Sequence, residues 1–136
     1  MRANLLRAYA ETEYHVLADP PVVLRIGKYN EGLAELHRAH GVMCSAFVTA
    51  FNPYSEPLGD ADNAMHEAQL MAQLHARGLP YIEGVGQHPS GNWPGEDSVL
   101  VLGIGRDAAA KLGAEYRQNA IVWCGADAVP ELVLLV

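Results

Sequence analysis

Glu96 and Asp97 are the residues of this chain best suited to acid–base chemistry. They follow a loop that contains a tryptophan, and a carboxylate near an aromatic ring and away from bulk water acquires a raised pKa. Such a group can transfer protons near neutral pH. The alternative is a solvated hairpin loop in which Glu96 accepts hydrogen bonds from backbone amides. Glu96 is therefore the candidate catalytic residue, with a structural role as the alternative.

A second set of residues could bind a ligand through amides, hydroxyls and one aromatic ring. Trp93 could stack on a planar ligand or anchor its loop on the sheet edge. Segment 52–55 could contribute to a site or form only a turn, because Asn, Pro and Ser favour turns. These groups suit a polar ring or an anion, for which Lys28 is the only nearby positive charge. The candidate ligand-binding residues are Asn52, Ser55, Asn63, His88, Trp93, Asp97, Ser98, Gln118 and Asn119.

Residue spacing argues against a metal, a cofactor and a cysteine nucleophile. His88 and Glu96 do not form an HxH, HExxH or CxxC pattern, and a stable metal site needs three or four ligands. Segment 84–86 resembles the start of a phosphate-binding loop, but no third glycine follows and no helix begins there. Cys44 lies in an apolar run typical of an inert core thiol, and Cys124 lies at the opposite edge of the predicted sheet. We therefore expect no cofactor and no metal.

The elements that must position these residues follow from hydrophobic periodicity. Apolar residues spaced by three and four predict a helix over 60–77, and similar patterns predict a helix from an Asn30 cap to Gly41 and another over 107–116. A further helix is predicted around 3–11. Strands are predicted at 22–26, 43–51, 80–85, 99–104, 119–123 and 132–136, and those at 43–51 and 99–104 are apolar on both faces, which is typical of central strands. The sequence predicts an α/β (α+β) fold with a mixed, partly parallel sheet of about five to six strands, covered by three to four helices in two or three layers.

Connections between these elements predict where the polar residues meet. A strand–helix–strand crossover usually returns the chain parallel to its start, so the segments that follow the first three strands should leave the sheet at one edge. The loop before the fourth strand and residues 118–119 should return to that edge. Open α/β sheets commonly hold ligands at such an edge. We therefore expect the site there, formed chiefly by Asn52, Asn63, Glu96 and Gln118.

Composition limits the class of protein. A chain of 136 residues, half of them apolar, is expected to form one domain, 1–136, and contains no apolar run long enough to span a membrane. Sixteen acidic and nine basic residues give a net charge of −7, and the basic residues are scattered, so nucleic-acid binding is disfavoured. The two cysteines in apolar runs are typical of reduced thiols, which favours a cytoplasmic location.

Four segments together resemble a bacterial family of uncharacterised proteins, domain of unknown function family 3293. They are FVTAFNPYS, DADNAMHEAQL, YIEGVGQHPSGNWPGEDSVLVLGI and YRQNAIVW, and the resemblance extends over about residues 14–123. It implies a shared fold but supplies no mechanism, and Asp97 stands where the family pattern has a second Glu. The resemblance also implies a shared site around Asn52, Asn63, Trp93, Glu96, Ser98 and Gln118.

Three functions fit these observations. The first is a cytoplasmic domain that binds a small polar or anionic ligand at one sheet edge without a cofactor. The second is a hydrolase- or transferase-type enzyme that uses Glu96 as general acid or base, with Ser55 or Ser98 positioning the substrate. The third is an interaction module in which strand 132–136 forms an exposed edge that pairs with a protein partner or with a second copy of the chain.

Overall fold

A computed structural model describes residues 2–91 and 94–136 of the chain. Across these residues the chain forms four α-helices and seven β-strands, and a short 3-10 turn, Pro53–Ser55, precedes the third helix. In chain order the elements are α1 (Ala3–Glu11), β1 (Glu13–Val16), β2 (Val22–Leu24), α2 (Glu31–Ala39), β3 (Ser45–Val48), α3 (Asp60–Ala76), β4 (Tyr81–Gln87), β5 (Glu96–Leu102), α4 (Arg106–Glu115), β6 (Ala120–Cys124) and β7 (Pro130–Leu134).

The strands form one sheet in the spatial order β2-β1-β4-β5-β3-β6-β7. All six neighbouring pairs are antiparallel, so the prediction of a mixed, partly parallel sheet of five to six strands is wrong. The crossovers do return β2, β3 and β4 in one direction, as predicted. However, β1 lies between β2 and β4, and β5 folds back from β4 to lie between β4 and β3. The antiparallel strand β5 therefore separates β3 from β4, and β1, β4 and β5 all lie between β2 and β3.

The missed strand is β1, a four-residue segment with only two buried positions, Tyr14 and Val16. A pattern this short does not stand out in the sequence. It pairs with β2 on one side and β4 on the other, which makes β2 the outermost strand. The prediction that the strands containing residues 43–51 and 99–104 are central is confirmed, because β5 is the fourth of seven strands and β3 is its neighbour.

Helices cover both faces of the sheet because the central strands are apolar on both sides. On one face, Leu70 and Leu74 of α3 and Leu112 of α4 pack on strand residues that include Val99 and Val101. On the other face, Leu33 of α2 packs with strand residues that include Phe47, Leu100 and Val122. Consecutive residues of β5 thus contribute to two separate cores, as the alternation of side chains along a strand requires.

The predicted helices are confirmed, with small shifts at their ends. Asn30 caps α2, and its side chain accepts a hydrogen bond from the backbone of Leu33 at 2.9 Å. Gly41 and Gly78 follow α2 and α3 with φ of 65° and 67°, a conformation that glycine adopts without strain. In the part of the chain that the structure describes, no helix is both long and apolar enough to cross a membrane.

Candidate functional site

A cavity of about 600 Å³ opens at one end of the sheet. Strands β3 and β4 end there, and β5 and β6 begin there, because each of these strands is antiparallel to its neighbour. The cavity lies on the same face as α2, and α1 forms one of its walls. Seven of the predicted site residues line it: Asn52, Ser55, Asn63, His88, Glu96, Ser98 and Gln118.

A chain of hydrogen bonds connects α3 to Glu96 through Asn52. The Nδ2 atom of Asn52 donates to Oε2 of Glu96 at 2.7 Å. Oδ1 of Asn52 accepts from Nδ2 of Asn63 at 2.8 Å and from the backbone of Leu58 at 3.0 Å. Asn63 also accepts from the backbone N–H of Asn52 at 2.9 Å. This network fixes one oxygen of Glu96 and the orientation of the Asn52 side chain.

Burial raises the pKa of the Glu96 carboxyl above its ordinary value, and the hydrogen bond from Asn52 partly opposes that effect. Ser98 lies two residues along the same face of β5 and donates its hydroxyl to the carbonyl of Glu96 at 2.9 Å. The Ser98 hydroxyl is therefore engaged with the strand and fixes the start of β5. Glu96 presents a second carboxylate oxygen, Oε1, to which no described residue donates a hydrogen bond.

A second buried carboxyl, Glu67, holds the end of β3 from the opposite face. Its Oε1 atom accepts from the backbone of Ala50 at 2.9 Å, one helical turn along α3 from the contact between Asn63 and Asn52. Its Oε2 atom is the one buried side-chain oxygen or nitrogen without a partner among the described residues. Burial, reinforced by the negative charges of Asp97, Glu96 and Glu83, raises the pKa of Glu67 to about 7.

Segment 52–55 has a strained backbone. Asn52, Tyr54 and Ser55 have φ of 46°, 55° and 63°, although none is glycine, and such conformations cluster at functional sites. Two contacts hold the segment: the backbone N–H of Tyr54 donates to the carbonyl of Arg117 at 2.6 Å, and Nδ2 of Asn119 donates to Oγ of Ser55 at 2.9 Å. The start of β6 thus supports the loop that carries Asn52.

Two glycines of β4 lie at or beside the floor of the cavity, and Gly86 lines it. Gly84 and Gly86 lie opposite Ser98 and Glu96 in the sheet. A Cβ atom on Gly84 would lie 2.8 Å from the ring of Phe47, so the ring fits there only because residue 84 has no side chain. A Cβ atom on Gly86 would meet nothing closer than Thr12 at 4.0 Å, and the space above it is open cavity.

Helix α1 closes one side of the cavity with few contacts. It has no buried residue. The carbonyl of Tyr9 accepts from the hydroxyl of Tyr14 at 2.7 Å, and the Tyr9 hydroxyl lies 3.3 Å from Oγ of Ser55. At the end of the helix, Glu11 lies 3.1 Å from Nε2 of His88. His88 therefore ties α1 to the end of β4.

Three predicted ligand-binding residues do not lie in the cavity lining that the structure describes. Asp97 follows Glu96 on β5, so its exposed side chain points to the opposite face of the sheet. Asn119 is buried behind the cavity, where it supports Ser55. Trp93, with Asn92, lies outside the described residues. Lys28, which was expected to balance an anion, does not line the cavity.

Several lining residues escaped the sequence analysis, above all Tyr9, Tyr14 and Phe47. The aromatic rings of Tyr14 and Phe47 pack edge to face, with centroids 5.3 Å apart. A usable signal was the pair of glycines, Gly84 and Gly86, on one face of a strand. Glycine inside a strand often marks close approach of another group; here Gly84 admits the Phe47 ring, and Gly86 leaves room beside Glu96.

The described residues offer little to a metal or to cysteine chemistry. Among them, no three His, Cys, Asp or Glu side chains are placed to hold a metal ion. Both cysteines are free thiols, and burial raises the pKa of Cys124 to about 12, so its thiol is unreactive at neutral pH. Cys44 donates to the carbonyl of Ile104, and burial raises its pKa as well.

A second depression, of about 520 Å³, lies between α3 and α4. Gln73, Arg77, Asp107, Lys111 and Glu115 line it, and apart from Gln73 these are exposed charged residues. Solvated side chains of opposite charge are common in surface grooves between two helices. The cavity at the end of the sheet is the stronger candidate site because it contains buried polar groups and a strained loop.

These features define a small protein with an antiparallel sheet, helices on both faces and an acidic cavity at one sheet end. A family model described as "Protein of unknown function (DUF3293)" matches residues 48–121, which is more than half of the chain, so the chain belongs to that family. The matched range contains Asn52, Asn63, Glu96 and Gln118. No curated protein and no solved structure matches the chain.

Proposed function

We propose that this protein binds a small polar ligand in the cavity at the end of the sheet, with Glu96 accepting a hydrogen bond from it. The observation that carries the proposal is the Glu96 carboxylate: Asn52 donates to one oxygen at 2.7 Å, and no described residue donates a hydrogen bond to the other, although Glu96 lines the cavity. Preorganised polar groups in a largely apolar pocket are typical of ligand sites.

The class of ligand proposed here is polar but not anionic. Glu96, Glu56 and Asp60 line the cavity, so an anion would meet negative charge there. Lys28 is absent from the described lining, and Arg2 contributes from an exposed position. We therefore do not extend the proposal to anions.

A thermal-shift screen with sugars, amino acids, amines and nucleosides tests the proposal. Specific binding to the folded state adds about 2.7 kcal/mol at a ligand concentration 100 times Kd. We expect at least one compound to raise the melting temperature of the wild type and of Glu83→Gln, which removes an exposed carboxylate on the other face of the sheet. The same compound should have little effect on Glu96→Gln or Gly86→Leu. A shift that survives both cavity substitutions would place binding elsewhere.

A second candidate function is catalysis with Glu96 as general acid or base, in a hydrolase or transferase reaction. Burial raises the pKa of Glu96, which brings a carboxyl closer to the range in which it donates protons efficiently. Turnover of ester or glycoside substrates that Glu96→Gln abolishes while binding persists would support this candidate. Binding without turnover supports the binding function.

A third candidate is protein interaction through the edge strand β7, in the cytoplasm of a bacterium. β7 pairs with β6 on one side and is last in the strand order, and Leu134 is 47% exposed. Leu135, directly after β7, donates to the carbonyl of Asn119, directly before β6, so the N–H of Leu134 points outward. Leu134→Pro would therefore block strand addition without removing a bond to β6. Light scattering of the wild type and of Leu134→Pro tests for self-association. A monomeric wild type argues against it.

A further inference from the structure

We infer that the ligand of this cavity is a small organic cation, an amine or amidine carried on an apolar or aromatic body. The inference rests on the proposed function and deepens it. It follows from the hydrogen-bonding atoms that the protein leaves open in the cavity, because a ligand must supply what the lining lacks.

Side-chain amides in the lining use their N–H groups inside the protein. Nδ2 of Asn52 donates to Glu96, and Nδ2 of Asn63 donates to Asn52 and to the carbonyl of Leu58. Nε2 of Gln118 donates to the carbonyls of Phe51 and Tyr116 at 3.0 and 3.2 Å. A carboxylate beside Asn52 and two carbonyls beside Gln118 fix which end of each amide is nitrogen. Asn63 and Gln118 thus use both of their N–H hydrogens inside the protein, whereas Asn52 keeps one N–H hydrogen to which no described acceptor is assigned.

Hydroxyl groups in the lining are also engaged, and mostly as donors to the backbone. Ser98 donates to the carbonyl of Glu96, Thr49 to that of Asp97 at 2.6 Å, and Tyr14 to that of Tyr9. Tyr9 and Ser55 form one hydrogen bond with each other, so that pair retains a single hydroxyl hydrogen. Arg2, Asn4 and Tyr54 could donate, but all three are exposed residues.

Acceptor atoms remain open. No described residue donates to Oε1 of Glu96 or to Oε1 of Gln118, and both residues line the cavity. Neither oxygen is fully buried, because Glu67 Oε2 is the one enclosed unpartnered atom in the described chain. Each is therefore accessible to a donor. The interior thus offers two open acceptors, one of them charged, beside one hydroxyl hydrogen of the Tyr9–Ser55 pair and one N–H hydrogen of Asn52.

Charge and shape point to the same class of ligand. Three carboxylates, Glu96 and the exposed Glu56 and Asp60, line the cavity against one exposed cation, Arg2, so the net negative charge of the lining attracts a cation and repels an anion. Phe47, Phe51 and Val122 supply apolar surface, and about 600 Å³ is room for a drug-sized molecule. An N–H group that carries positive charge makes the stronger type of hydrogen bond with a carboxylate. An ammonium or amidinium group on a ring or short alkyl chain fits all of these properties.

A matched set of probes tests the inference: benzamidine, benzylamine, benzyl alcohol and benzoate, measured by calorimetry on the full chain. We expect the two cations to bind the wild type at least about tenfold more tightly than the alcohol or benzoate, which corresponds to about 1.4 kcal/mol. Glu96→Gln should weaken the cations at least tenfold and change the alcohol little. Glu83→Gln, which removes the same charge outside the cavity, should behave as the wild type.

The outcomes separate the ligand class from the site. Gly86→Leu fills the floor and should abolish binding of all four probes. If benzoate or benzyl alcohol binds as tightly as the cations, and Gly86→Leu abolishes it, the cavity stands and the cationic class is wrong. If neither cation binds at millimolar concentration, the class is likewise rejected, and the broader screen alone decides the proposed function. Binding that both Gly86→Leu and Glu96→Gln leave intact rejects both proposals.

Discussion

Asn52 uses every polar atom of its side chain inside the protein and adopts a backbone conformation that few residues tolerate. Its amide links Asn63 to Glu96, and its φ is 46°. Asn is the non-glycine residue that best combines these two properties, because it enters the left-handed region at lower cost than most side chains. The single residue therefore couples a strained loop to the open carboxylate.

Two substitutions of Asn52 distinguish the role of its side chain from that of its backbone conformation. Asn52→Ala removes three hydrogen bonds and retains a Cβ at positive φ, whereas Asn52→Gly removes the same bonds without that strain. We expect both variants to lose ligand binding, and Asn52→Ala to be less stable than Asn52→Gly by about 1 kcal/mol. Urea unfolding measures the difference, and equal stability of the two variants would show that the backbone of Asn52 is not strained.

Glu67 makes stability depend on pH. Its pKa rises from 4.5 to about 7 on folding, because burial and nearby carboxylates disfavour the charged form. The folded state therefore binds the proton more tightly than the unfolded state. The contribution to stability is fully present below about pH 4.5 and is lost as the pH rises through 7, by an amount on the order of 3 kcal/mol.

Glu67→Gln removes this titrating group and should remove its part of the pH dependence, while other shifted groups such as Glu96 and His37 keep theirs. We expect the variant to match the wild type near pH 4.5 and to be more stable at pH 8, because the neutral amide can still accept from Ala50. Glu35→Gln, an exposed substitution on α2, serves as the control and should keep the wild-type profile. Denaturant unfolding between pH 4.5 and 8 measures all three proteins, and parallel curves for wild type and Glu67→Gln would contradict the prediction.

At the scale of elements, β4 combines a packing glycine with a cavity glycine. Gly84→Ala would force a methyl group against the Phe47 ring and the carbonyl of His15 and should cost about 1–3 kcal/mol. Gly86→Ala meets open space and should change stability by less than about 0.5 kcal/mol. Thermal unfolding compares the two variants. Similar losses at both positions would mean that the cavity above Gly86 is not open in solution.

The order of strands could not be derived from the sequence, although most elements could. Local patterns predicted four helices and six strands, and the crossover rule correctly gave β2, β3 and β4 one direction. Pairing in a sheet is decided by long-range contacts, however, and β5 can lie beside β3 as easily as beyond β4. Because β3 and β4 run in the same direction, their polar ends lie at one end of the sheet, although the two strands are not neighbours.

Helix α3 shows why the candidate site was only partly predictable. Its most regular apolar stripe, which includes Met65 and Ala68, lies largely at the surface, and the buried face is Asn63, Glu67, Leu70 and Leu74. The buried face begins with two polar residues, Asn63 and Glu67, so its hydrophobic pattern in the sequence is weaker than that of the exposed face. A carboxylate in a helical stripe carries no sign of burial in the sequence itself, so Glu67 was missed.

At the scale of the whole molecule, α1 is the least anchored element beside the cavity. It buries no residue, and its contacts with the rest of the protein include the polar ones from Tyr9 and Glu11. Elements with few buried contacts open locally at low free energy. We expect amides of α1 to exchange rapidly in the free protein and to become protected when benzamidine is bound, as measured by hydrogen exchange.

Glu11→Gln provides the control for α1, because it weakens the contact with His88 at the end of the helix without altering the cavity floor. Exchange in α1 should become faster in this variant, while exchange in β5 should stay unchanged. Protection of α1 that is already complete without ligand would contradict its proposed mobility.

The family match begins at residue 48, so the floor of the cavity and its two open acceptors belong to the matched segment, whereas the wall formed by α1 and β1 precedes it. The pocket thus combines matched residues with lining residues outside the match, which also include Phe47, Val122 and Leu132. Substitutions within residues 2–11 would change the size and polarity of the entrance, while Glu96 and Gln118 would stay in place. For protein engineering, the selectivity of the proposed site would be adjustable through one short N-terminal segment.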